Sequence, residues 1–128
     1  MADDTPTPGP IAPAPLDPEA LQDYITALEQ LHDLLDEAYW VATTIEAKDA
    51  INGLSQAVFD ILTTLHEQAI QANTPQYTAL KATVDAVNAK LQTVQGQIND
   101  WIHKIDVAGQ VVAGIAQAVA LAAKVFTL

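Results

Sequence analysis

TPQYTALKATVDAVNAKLQTVQGQINDWIHKIDVAGQVVAGIAQAVALAAKVFTL, residues 74–128, is the stretch on which the reading of this chain turns. Steps of three and four residues land on Tyr77, Leu80, Val84, Val87, Leu91, Val94, Ile98, Trp101, Ile105, Ala108, Val112, Ile115, Val119, Ala122 and Phe126, all apolar. A stripe repeating about every 3.5 residues is the seam of a helix that lies along another helix. Thr74 offers a capping hydroxyl, and Pro75 stands at the first helical position, where its missing N–H is no loss. Unbroken, a helix over 75–127 is about 80 Å long at about 1.5 Å per residue.

A second stripe precedes it. Asp17-Pro18-Glu19 has the cap, the first-turn proline and the early acid of a helix start. Leu21, Tyr24, Leu28, Leu31, Leu35, Ala38, Ala42 and Ile45 then follow at the same spacing. The phase shifts near Lys48, and a new stripe runs Ile51, Leu54, Val58, Ile61, Leu65 and Ala69. Two readings account for the shift. Asn52-Gly53 ends one helix and Ser55 caps the next, or one helix runs over 18–72 with a local change of winding. No other loop residues surround Gly53, and one helical glycine costs only about 1 kcal/mol, which favours the continuous helix.

Asn73-Thr74-Pro75 is the one clear turn. The expected fold is therefore all-α: a long, coiled-coil-like antiparallel helical hairpin that self-associates into a bundle. Arm one spans 18–72, with a break near Gly53 as the variant reading, the turn is 73–75, and arm two spans 75–127. Residues 17–128 form one helical domain. Leu28, Leu31, Leu35, Leu91, Val94, Ile98, Trp101 and Ile105 form the expected hairpin seam. Residues 1–16, with prolines at 6, 8, 10, 13 and 15, read as an extended, flexible arm without the basic start and apolar run of a secretory signal.

The most apolar part is 107–123, VAGQVVAGIAQAVALAA, which carries no charge. His103, Gln110, Gln117 and Lys124 recur every seven residues and leave a single polar line on an otherwise apolar or small surface. A two-helix hairpin buries one stripe, not most of a circumference, so this segment requires further helices, a lipid phase or another hydrophobic surface. Seventeen uncharged residues sit at the lower limit for a membrane span, and Gly109/Ala113 and Gly114/Ala118 permit close helix contact. The expected membrane or oligomer interface is Val107, Val111, Val112, Ile115, Val119, Leu121, Val125 and Phe126.

Charge narrows the partners. Sixteen acids face five lysines and no arginine, for a net charge of −11, which argues strongly against nucleic acid as a partner. Residues 1–72 hold 13 acids and Lys48 (−12), and residues 73–128 hold three acids and four lysines (+1), a bias that favours pairing of the two arms. The absence of cysteine excludes disulfides and thiolate metal sites and leaves the compartment open.

Little chemistry is legible. Glu29…His32 and Asp100…His103 have the carboxylate-x-x-histidine spacing of di-iron bundles, but the further core carboxylates of such a site are missing from both stripes. Ser55 is the only serine, and no phosphate-binding glycine loop is present. The expectation is a protein without catalytic residues, metal or cofactor. Its partners are further copies, another helical protein, or a membrane. The overall plan is similar to exported bacterial helical families, such as needle-type secretion subunits and α-helical pore-forming toxins. No diagnostic motif of either is present, so no residue role is carried over. Two functions from different classes follow: a membrane-active assembly that acts through the apolar arm, or a soluble structural subunit that uses the arm as a permanent protein interface.

Overall fold

The structure is a computed structural model that describes residues 14–67, 70–72 and 74–126. Four helices pack against one another: α1 (Pro18–Val41), α2 (Ile45–Glu67), α3 (Pro75–Trp101) and α4 (Ile105–Phe126). Each neighbours two others in the cyclic order α1, α2, α3, α4, and one continuous core runs between them. Before α1, Ala14–Pro15 (β1) pairs antiparallel with Gln71–Ala72 (β2). Apart from these last residues, the proline-rich arm expected over 1–16 lies outside the described residues, as does Asn73 of the expected turn.

The helix starts follow their local chemistry. The Asp17 carboxylate accepts from the Glu19 N–H at 3.1 Å, and the Thr74 hydroxyl accepts from the Tyr77 N–H at 3.1 Å, each with proline in the first turn. Each cap satisfies a backbone donor that has no partner inside the helix.

The two arms are not continuous. The first is interrupted at Ala42–Thr44, ahead of Gly53, which sits inside α2 with open space around it. Ala42 is extended (φ −67°, ψ 145°), and the Thr44 hydroxyl caps α2 by accepting from the Ala47 N–H at 3.0 Å. The second arm turns at Ile102–Lys104, where Ile102 is extended (φ −128°, ψ 116°). Burial explains the breaks. The demand of α4 for more than one apolar neighbour is met inside the chain, by α1 on one side and α3 on the other.

Both interruptions lie at the same end of the bundle and are tied together. Ala42 and Ile102 form an antiparallel bridge, and the Trp101 carbonyl accepts from the Thr43 N–H (3.0 Å) and hydroxyl (3.1 Å). Helix boundaries recur after 60 residues, with α1 and α3 ending at 41 and 101 and α2 and α4 beginning at 45 and 105. Burial recurs with them: Tyr24 and Val84, Leu31 and Leu91, Ala38 and Ile98, Ile51 and Val111, Val58 and Ala118 are all inside. The fold is thus two similar helical hairpins, although Leu31/Leu91 and Ile45/Ile105 are the only identities between 18–66 and 78–126 at that offset.

Candidate interaction surfaces

The expected interface residues on α4 point mostly inward. Val107, Val111, Ile115, Val125 and Phe126 are buried, while Val112, Val119 and Leu121 are partly buried against the core. From its second turn onward, what α4 shows to solvent is small: Gly109, Ala113, Ala116, Ala120 and Ala123 are exposed, beside Gln110, Gln117 and Lys124. This helix has the length and composition of a membrane span, with a mean hydropathy of 1.6, yet beyond its first residue its large side chains lie wholly or partly against protein. An interface built from them forms only when the bundle opens.

Of the expected seam, Leu28, Leu31, Leu35, Leu91, Val94 and Ile98 are core residues and Trp101 is half-buried. Ile105 is the correction, at 87% exposed. The turn at 102–104 resets the helical phase, so α4 buries Val107, Ala108 and Val111 and leaves its first residue outside. Ile45, also placed on a stripe by its spacing, is 77% exposed as the first residue of α2 for the same reason. Trp40, in the last turn of α1, is likewise 77% exposed. Three large apolar side chains therefore stand in water at the end of the bundle where both hairpins turn, next to half-buried Tyr39, Val41 and Trp101.

That end is held in shape by polar contacts. Lys48 Nζ donates to the Tyr39 carbonyl at 2.7 Å, satisfying a terminal acceptor of α1. Its ammonium lies 4.8 Å from the Tyr39 ring centroid and 6.0 Å from that of Trp40, and the two rings meet edge to face at 5.3 Å. Around them Glu46, Asp49, Asp100, His103, Lys104 and Asp106 are exposed. The opposite end is closed by aromatic packing. Phe126 meets Tyr24 at 6.0 Å and Tyr77 at 5.8 Å, and the Tyr77 hydroxyl donates to the Phe126 carbonyl at 3.2 Å. Burial pushes the Tyr24 phenol well above the ordinary tyrosine range by penalising the phenolate.

The histidine pairs do not meet. His32 lines a groove between α1 and α2 with Glu29, Asp33, Phe59, His66 and Glu67, and its ring lies 5.7 Å from that of Phe59. Asp100 and His103 belong to the turn end of α3. Among the described residues no three His, Asp or Glu side chains are grouped to hold a metal ion. A second groove, about 460 Å³ between α2 and α3, is bordered by Ala50, Gly53, Ala89, Thr93 and Trp101, with Asp49 and Lys90 at its rim.

Sequence reading missed the exposed turn end, because Ile45 and Ile105 both obey an apolar stripe. The signal that points to it is Thr43-Thr44-Ile45-Glu46, a capping hydroxyl followed by an early acid. It also missed the polar groups inside. Ser55 is buried and donates to Asp36 at 3.3 Å, and Gln95 donates to the Val112 carbonyl at 3.1 Å. Comparison with protein-family models, with curated proteins and with solved structures returns no match for this chain.

Proposed function

We propose that this chain is a non-catalytic, self-associating helical protein that engages a hydrophobic surface, a lipid bilayer, with the turn end of its bundle. The observation that carries the reading is the exposure of Trp40, Ile45 and Ile105 together at one end of a chain whose other large apolar residues are mostly buried. Exposed apolar clusters mark contact sites, and tryptophan and lysine side by side suit the boundary between headgroup and acyl chain. The acidic surface of α1 and α2 keeps the lipid-free form in solution, and α4 is the helix both long and apolar enough to enter lipid after contact.

Flotation with zwitterionic liposomes, read together with dye release, tests this. The wild-type chain rises with the vesicles, and the triple variant Trp40→Ser, Ile45→Ser, Ile105→Ser stays at the bottom while keeping its helical circular dichroism. Equal flotation of both chains, or of neither, removes the turn end from the account. A second reading, a soluble structural subunit, draws on the inward orientation of Val107, Val111 and Ile115. Absence of flotation combined with a stable soluble oligomer favours it.

A further inference from the structure

We propose that the bundle is the closed form of a two-state chain. In the open form both turns straighten, and the two long helical arms pair with those of a second copy. The proposal does not depend on lipid binding. It starts from the turns themselves. Ala42-Thr43-Thr44 and Ile102-His103-Lys104 contain neither glycine nor proline, and the extended residues Ala42 and Ile102 have negative φ angles. Nothing in their covalent structure forbids helix, and alanine and lysine favour it.

The residues beside each turn carry the second argument. Ile105 continues the spacing of Ile98 and Trp101, and Ile45 continues that of Ala38 and Ala42. In the closed bundle the turns throw both isoleucines into water, at 87% and 77% exposure. In a straight arm the same side chains return to the apolar stripe. Both turns lie at one end and are joined by the Ala42–Ile102 bridge and the bonds to the Trp101 carbonyl, so releasing one releases the other.

Straightening separates α1 from α2 and α3 from α4, while α1 stays beside α4 and α2 beside α3. The faces laid bare are the ones that matched each other inside the bundle. A second open chain, arranged head to tail, lays its α2 and α3 on the first chain's α1 and α4 and restores every helix contact between chains. This is an exchange of identical parts, which needs no surface beyond those already complementary. Ile45 and Ile105 of both copies then meet at the centre of the assembly.

The experiment follows the mass and one internal distance. Glu29 and His66 border the same groove in the closed form, whereas 37 residues of continuous helix place them about 55 Å apart in the open one. The chain has no cysteine, so Glu29→Cys with His66→Cys gives clean spin-labelling sites. Labelled chain is refolded with a large excess of unlabelled chain, so that only distances within one copy are read. Thr43→Ala with Thr44→Ala removes the α2 cap and the Thr43 hydroxyl bond. It is expected to tighten dimerisation by about tenfold or more and to bring in the long distance. Lys104→Pro forbids a straight second arm and suits the closed form, because Lys104 stands just before the first residue of α4, where a backbone N–H has no helical partner to lose. It is expected to remain a monomer with the short distance alone.

A dimer whose labels stay close, or equal dimerisation by Lys104→Pro, overturns the proposal. Should the double threonine variant lose its helical signal, the wild-type chain is measured at rising concentration, where dimer without the long distance, or no dimer at all, is equally fatal. Flotation is scored separately on the lipid-bound fraction, so either idea can fail without the other.

Discussion

The two hairpins have the same outline and different interiors. In α1 and α2 the core is dominated by leucine, with isoleucine, alanine and one tyrosine beside it, and the outside carries most of the acids. In α3 and α4 valine, alanine and glycine replace many of those groups, Asn88 occupies the position of Leu28, and the outside is nearly neutral. α1 is packed more extensively against its neighbours than α3 is. Outline follows from where burial recurs, whereas tightness follows from which side chain fills each place. Stability should accordingly be unevenly shared, with α3 the more easily loosened helix.

The largest expected difference lies at positions 55 and 115. Ser55 is buried in the first hairpin and Ile115 in the second. Ile115→Ser both opens a cavity and buries a hydroxyl, a loss of about 4 kcal/mol or more. Ser55→Ala removes one 3.3 Å bond to Asp36 and should change stability by about 1 kcal/mol or less. Urea unfolding of the two variants measures both, and comparable losses would break the assignment of equivalent places. Leu31→Ala and Leu91→Ala come next. Both residues are buried, but Leu31 sits on the more extensively packed helix, so its loss should approach about 4 kcal/mol while that of Leu91 stays nearer about 2. Reversal of that order would make α3, not α1, the anchor of the bundle.

Much of this outline is readable in the sequence, and the reasons for the rest are physical. Asp17-Pro18 and Thr74-Pro75 announce helix starts because proline and a capping oxygen each act locally. Leu28, Leu31, Leu35, Leu91, Val94 and Ile98 are legible as core because polar residues flank them and fix the phase. Between 98 and 126 that information is lost. Ile102 and Ile105, Val111 and Val112, and Val125 and Phe126 make both phases apolar, so a turn of three residues leaves no mark on the stripe. The exposed turn end was hidden for the same reason, since its isoleucines fit the pattern that the turn interrupts.

Tyr24 gives a difference that depends on pH. Its partner position is Val84, which does not titrate, so alkaline sensitivity from this source belongs to the first hairpin alone. The folded state holds the phenol protonated beyond the ordinary tyrosine pKa of about 10, at which the unfolded chain loses its proton. Above that pH the native state binds more protons than the unfolded state, and stability falls with rising pH by about 1.4 kcal/mol per unit from this group. Below it the contribution is complete and flat. Tyr24→Phe should remove that part of the slope, read as the difference between the two chains in unfolding curves from pH 9 to about 11. Parallel curves would show that the ring is wetter than its burial indicates.

The smallest effect separates two glycines of α4. A methyl group added at Gly109 meets nothing within 4 Å, whereas at Gly114 it lies 3.1 Å from Leu34 Cδ1 and 3.4 Å from Leu31 Cδ1. Alanine gains close to 1 kcal/mol over glycine in a helix interior by restricting the unfolded chain. Gly109→Ala should therefore stabilise by about 0.5–1 kcal/mol. At Gly114 the same gain is opposed, because Leu34 must shift and Leu31, buried on the best-packed helix, has little room to follow. The expected result is no gain, or a loss of about 1 kcal/mol, measured as the shift in thermal midpoint. Equal stabilisation at both positions would mean that α4 stands farther from α1 than the close contact at Gly114 requires.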